Sequence, residues 1–300
     1  MRSHLLIVLL LCLGAAGAAA DSSDSSTAQR YTFHEIISHD GVPLNVVETG
    51  NPDGAPVVFL HGFSQSYLSW RAQLDDPDLA QRFRLVALDL RGHGASGKPW
   101  VGEAYQGYEP WADDLATVMQ ALDIHQPWLV AWSFGGFVAL DYVRRHGQTP
   151  LAGLLFTGSH GGLIRRPVGE VPEVSNDLQA AIDGAREFMN LMSVEPPSEE
   201  VRIRGEFSHV MLPPYVRRAF VGKNLDNTDL IDELTLPMLL VIGEADFTLN
   251  VPAISEALAH RSNIDVRVYS GVGHSPFVEA TPRFNADLVE LISRGHEARP

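Results

Sequence analysis

The sequence predicts an α/β fold: a doubly wound, mostly parallel β-sheet with an inserted helical cap. Three observations lead there. Short apolar runs at residues 56–60, 83–88, 128–132 and 237–243 lack polar alternation and read as strands buried on both faces, as in the middle of a parallel sheet. Stretches with apolar residues at helical spacing lie between them, and such alternation winds into right-handed crossovers. The rhythm stops between residues 159 and 235, where only amphipathic, Pro-punctuated stretches occur, so a cap is expected there.

The 300 residues, 45% hydrophobic, suffice for one large core. A formal charge of -15 argues against a nucleic-acid partner, because that binding depends on neutralising phosphates with Lys and Arg. Arg2 and His4, an apolar run over residues 5–13 and the Ala-rich stretch ending at Ala20 read as a secretory signal peptide over residues 1–20. The run is short for a bilayer span, so stable membrane insertion is not expected, and export to the periplasm or medium is. Cys12 lies inside this segment, leaving the mature chain without a thiol for catalysis or metal binding.

A Ser/Asp-rich linker over residues 21–29 precedes the first core segment, 30–158. There, alternating runs at 31–38 and 43–49 flank Asp40-Gly41, a hairpin signal. The strand at 56–60 ends in His61-Gly62-Phe63-Ser64, and the strand at 83–88 ends in Asp89-Leu90-Arg91-Gly92-His93-Gly94-Ala95-Ser96. Trp111, Leu115, Val118, Met119 and Leu122 mark a helix over 108–122, and Pro127 opens the next strand. A further strand is expected at 151–157. In the cap, 159–235, helical stretches at 177–192, 199–210 and 214–223 are separated by Pro196-Pro197 and Pro213-Pro214. The second core segment, 236–300, adds strands at 237–243 and 264–269 and a helix over 282–293.

The strand at 128–132 runs into a helix with only Ser133 and two glycines at the junction. So tight a turn strains the Ser133 backbone and needs small residues two positions to either side, here Ala131 and Gly135. It also leaves the Phe134 N–H at a helix start, where unpaired donors favour a developing negative charge.

Ala131-Trp132-Ser133-Phe134-Gly135 resembles the Gly-x-Ser-x-Gly nucleophile elbow of the α/β-hydrolase family, with Ala for the first Gly. The Asp89 to Ser96 loop is similar to the family's Asp-x-Arg-Gly-x-Gly-x-Ser signature. The resemblance, to the serine-esterase and cofactor-free haloperoxidase branch, covers residues 31–294 apart from the cap. It implies Ser133 as nucleophile, His274 as general base and Asp246 as its orienting carboxylate, in the chain order known for this fold, with Glu244 as the alternative acid. It also places a second oxyanion donor at the Phe63 N–H, beside that of Phe134. His61 and His93 read as structural. Trp132, Phe188, Met192 and Met211 are expected to line the substrate pocket.

The implied reaction is acyl transfer from a small-molecule ester to water, needing no cofactor. No clustered His spacing for zinc, P-loop or dinucleotide fingerprint occurs, so no metal is expected. Perhydrolase or haloperoxidase chemistry on the same triad and a non-catalytic ligand receptor are the alternatives. A monomer or homodimer is expected.

Overall fold

The computed structural model describes residues 31–165, 174, 176–220 and 223–297. The signal peptide and linker expected before residue 30 lie outside them, as do cap residues 166–173. Eight strands, β1 (Thr32–Ile37), β2 (Pro43–Gly50), β3 (Ala55–Leu60), β4 (Phe83–Leu88), β5 (Trp128–Trp132), β6 (Gly153–Thr157), β7 (Met238–Gly243) and β8 (Ile264–Tyr269), form one sheet in the order β1-β2-β4-β3-β5-β6-β7-β8. Strand β2 pairs antiparallel with both its neighbours and every other pairing is parallel.

Before β5 the chain forms α1 (Arg71–Leu74), α2 (Pro77–Arg82), α3 (Glu103–Gln106) and α4 (Glu109–Ala121). Helix α5 (Phe134–His146) follows β5 directly. Between β6 and β7 lie α6 (Leu178–Leu191), α7 (Glu199–Met211) and α8 (Pro214–Phe220), and the chain closes with α9 (Val251–Leu258), α10 (Pro276–Glu279) and α11 (Thr281–Glu297). The sequence reading runs the last insertion helix to residue 223. The helix is described as far as Phe220; residues 221–222 of the expected stretch lie outside the described residues, and Lys223 is buried.

The central strands are apolar throughout because both faces are covered. Val58, Leu60, Leu129 and Ala131 point to one side, among Leu115, Val118 and Val138 of α4 and α5. Their neighbours Val57, Phe59, Trp128 and Val130 point to the other, with Trp70 and with Phe284 and Leu288 of α11. Strand β5 is thus the buried centre of three layers, and its C-terminal end is the place from which a side chain can leave the sheet.

The insertion is fastened where it returns. Lys223 Nζ lies 2.8 Å from Asp141 Oδ2 of α5, with both side chains almost fully buried, and also donates to the Gly107 carbonyl at 3.2 Å. Asn227 N–H donates to Gly162 O at 3.0 Å and its side-chain amide to Gly161 O at 2.8 Å, bringing the two ends of the insertion together. A buried carboxylate that loses the cation bonded to it is costly. Lys223→Met should therefore lower unfolding free energy by ~3–5 kcal/mol in urea titration, and adding Asp141→Leu should restore most of it. Equal and additive losses would show the pair to be uncoupled.

Candidate active site

Nothing but Ser133 separates β5 from α5, and its backbone takes φ 50° and ψ -113°. A residue with a Cβ holds such angles only where its surroundings impose them. Here the Ser133 N–H donates to Thr157 O on β6 at 3.0 Å, and its carbonyl accepts from Gly136 N at 3.1 Å. A Cβ on Gly135 would stand 2.4 Å from the Leu60 carbonyl oxygen, so the start of α5 touches the end of β3 main chain to main chain. The half-buried Ser133 side chain lines a cavity of about 130 Å³.

His274 faces that cavity from the loop after β8. Its Nδ1 is 2.8 Å from Asp246 Oδ2, and both side chains are almost completely buried. A carboxylate can only accept, so Nδ1 carries the proton in that bond. Burial pushes the Asp246 carboxyl up, but its bonds to His274 and Thr248 outweigh that and hold it below the usual carboxylate range. The His274 main chain is fixed at both ends: its N–H donates to Met192 O at 2.7 Å, and its carbonyl accepts the Trp132 indole N–H at 3.0 Å. The alternative acid, Glu244, is turned away and bonds Ser270 and the Gly271 N–H on the surface.

Thr248 is the residue the sequence reading missed. Its hydroxyl and its N–H both donate to Asp246 Oδ1, at 2.7 and 2.8 Å, leaving Oδ2 for His274. The Asp-x-Thr spacing is an Asx-turn signal that could have pointed to it.

Phe63 lies in the loop after β3, and Phe134 begins α5 directly after Ser133. Among the described residues neither backbone N–H donates a hydrogen bond. A Cβ on Gly62 would lie 3.3 Å from that of Ser133, so the Phe63 loop passes directly over Ser133. His61 braces this loop: Nδ1 donates to Gly62 O at 2.7 Å and Nε2 accepts the Leu90 N–H at 3.0 Å. The next loop is equally built in. Asp89 accepts from the N–H groups of Tyr67 and Ala95, and Arg91 forks onto Asp114 with bonds of 2.7 and 2.6 Å.

Of the side chains expected to line a pocket, Phe188 shares the Ser133 cavity. Trp132 and Met192 line a second cavity, of about 50 Å³, with Met189, Gln65 and Ser208. Met211 lines neither, because α7 ends there and the chain turns away at Pro213.

An alpha/beta hydrolase family model matches residues 57–287 of this chain. The chain is 33% identical to a putative aryl esterase from Burkholderia cenocepacia, whose structure superposes with a TM-score of 0.81 over 89% of this chain and 100% of that one. The esterase RhEst1 from a Rhodococcus species is 30% identical, with a TM-score of 0.75 over 87% and 98% of the two chains. A bifunctional esterase/perhydrolase from Acinetobacter calcoaceticus is 27% identical over 279 residues, 86% of this chain and 98% of that protein.

Burial holds His61 and His93 neutral, with pKa values below the usual imidazole range. Their unfolded counterparts take up protons first, so the stability they contribute is complete above pH ~6.5 and is lost as pH falls toward their folded values. Asp141 acts oppositely, since burial raises its carboxyl to about 6. The histidine contribution is isolated by comparison with a variant: the stability gap between wild type and His93→Phe should narrow as urea unfolding is moved from pH 7.5 to pH 5. A gap independent of pH would contradict the neutral state of His93.

Proposed function

We propose, on the premise that this chain belongs to the alpha/beta hydrolase family, that it hydrolyses a carboxylic ester of a small to medium substrate through an acyl-enzyme on Ser133. The observation that carries this reading is the buried Asp246–His274 pair, bonded at 2.8 Å, with His274 facing the cavity that Ser133 lines. A serine hydroxyl is a poor nucleophile at neutral pH unless a base takes its proton as it attacks. In this mechanism Nε2 of His274 accepts the Ser133 proton while Oγ bonds to the ester carbonyl carbon. The carbonyl oxygen becomes an oxyanion facing the N–H groups of Phe63 and Phe134, and Asp246 stabilises the imidazolium. His274 then protonates the leaving alcohol, whose bond to the acyl carbon breaks. Water, deprotonated by the same nitrogen, attacks the acyl-enzyme and releases the acid and Ser133.

Hydrogen peroxide in the place of that water would yield a peracid, and the Acinetobacter relative, described as a bifunctional esterase/perhydrolase, favours this as a second activity of the same site. The basic, apolar and Ala-rich N-terminus supports export.

A fluorophosphonate probe should add once to the wild-type protein by intact mass and not at all to Ser133→Ala. That variant should lose as much as ~10⁶ in kcat on p-nitrophenyl esters, and Asp246→Asn about 10⁴. Ordinary turnover by Ser133→Ala would overturn the mechanism.

A further inference from the structure

The four residues after Gly62 each reach into the insertion. The Phe63 ring packs on Phe220 of α8 with centroids 4.5 Å apart. Ser64 Oγ accepts from Arg217 Nη1 of α8 at 2.9 Å. Gln65 Nε2 lies 3.9 Å from Met189 Sδ of α6, and Ser66 Oγ lies 2.8 Å from Ser208 Oγ of α7. Three helices of the insertion therefore grip one short loop, whose Ser64 adopts φ 62°, a backbone conformation that a residue with a Cβ keeps only under constraint.

Arg217 is the charged member of this grip. Its Nη2 donates to the His209 carbonyl at 2.6 Å, in the last turn of α7, where the helix dipole favours a cation. Its guanidinium lies 5.9 Å from the centre of the Phe63 ring. Among the described residues no carboxylate pairs with it, and burial lowers its pKa to about 10. A partly buried cation without a counter-ion is unfavourable by itself, and a neutral donor would reach Ser64 without that cost. The fork accounts for arginine here: one group bonds the end of α7 and the oxyanion-loop hydroxyl at once, through charge-assisted bonds that outlast neutral ones.

We infer that Arg217 is a positioning residue, which by bridging the last turn of α7 to Ser64 holds the Phe63 N–H in place for the reaction. The catalytic consequence rests on the ester-hydrolase reading; the ordering of the loop does not. The first measurement is therefore hydrogen exchange on the substrate-free protein. Arg217→Gln should raise amide exchange across residues 62–66 by ~10-fold or more while the β5 amides stay as in wild type, and Arg218→Gln, at an exposed neighbour, should leave both unchanged. Unchanged exchange at 62–66 in Arg217→Gln would overturn the inference.

The second measurement is kinetic. Arg217→Gln should lower kcat by ~10-fold to 100-fold with little change in KM, and should weaken a trifluoromethyl-ketone inhibitor by the factor lost in kcat/KM. Arg217→Lys, which keeps the charge but cannot make both bonds, should recover part of the loss. Combining Arg217→Gln with Ser64→Ala should cost little more than the larger single effect. Independent, multiplicative losses would also overturn it. Faster exchange in a wild-type protein background that turns over no ester would instead refute the proposed function and leave the positioning role standing.

Discussion

The approach of Gly135 to the Leu60 carbonyl is the constraint on which the active region depends. Helix α5 can begin immediately after β5 only if its first turn lies against the end of β3, and only a residue without a side chain lets the two main chains come that close. That contact leaves Ser133 to absorb the turn in its own backbone, projecting from the sheet at the one position where β3, β5 and β6 all end. It also brings the loop after β3, which carries Phe63, over the serine that Phe134 directly follows. A single close packing between a strand and a helix thus sets the relative positions of the proposed nucleophile and of both proposed oxyanion donors.

The proposed base, His274, is held by different means. His274 stands on a loop, and loops by themselves position side chains poorly. Here its main chain is caught between the Trp132 indole, which belongs to β5, and the Met192 carbonyl, which belongs to the insertion. Thr248 in turn fixes one oxygen of Asp246 and so directs the other at the imidazole. Neither the core nor the insertion completes this arrangement alone.

How much of this is legible in the sequence depends on how local the cause is. The central strands show because burial on both faces demands unbroken apolar runs, and the long helices show because one face repeats. The four-residue helices α1, α3 and α10 are too short for any repeat to register, and the placement of β4 between β2 and β3 follows from packing that no single segment encodes. Ser133, Asp246 and His274 stand out because each follows a strand in a turn rich in glycine or small residues. Arg217 does not: its partner Ser64 is 153 residues away, and nothing near either position announces the other. Met192 shows the same limit, since its side chain suggests a pocket lining while its carbonyl, which any residue would supply, makes the bond to His274.

The insertion enters and leaves the sheet through one seam, where Gly161 and Gly162 meet Asn227. A segment with adjacent ends resembles an interchangeable module, one that evolution could replace to alter substrate choice while leaving the chemistry alone. In this chain the module also grips the loop that carries Phe63 and the loop that carries His274. Recombination at the seam would therefore change turnover together with selectivity, and a lineage carrying this architecture should diversify by substitutions within its three helices rather than by exchange of the whole segment.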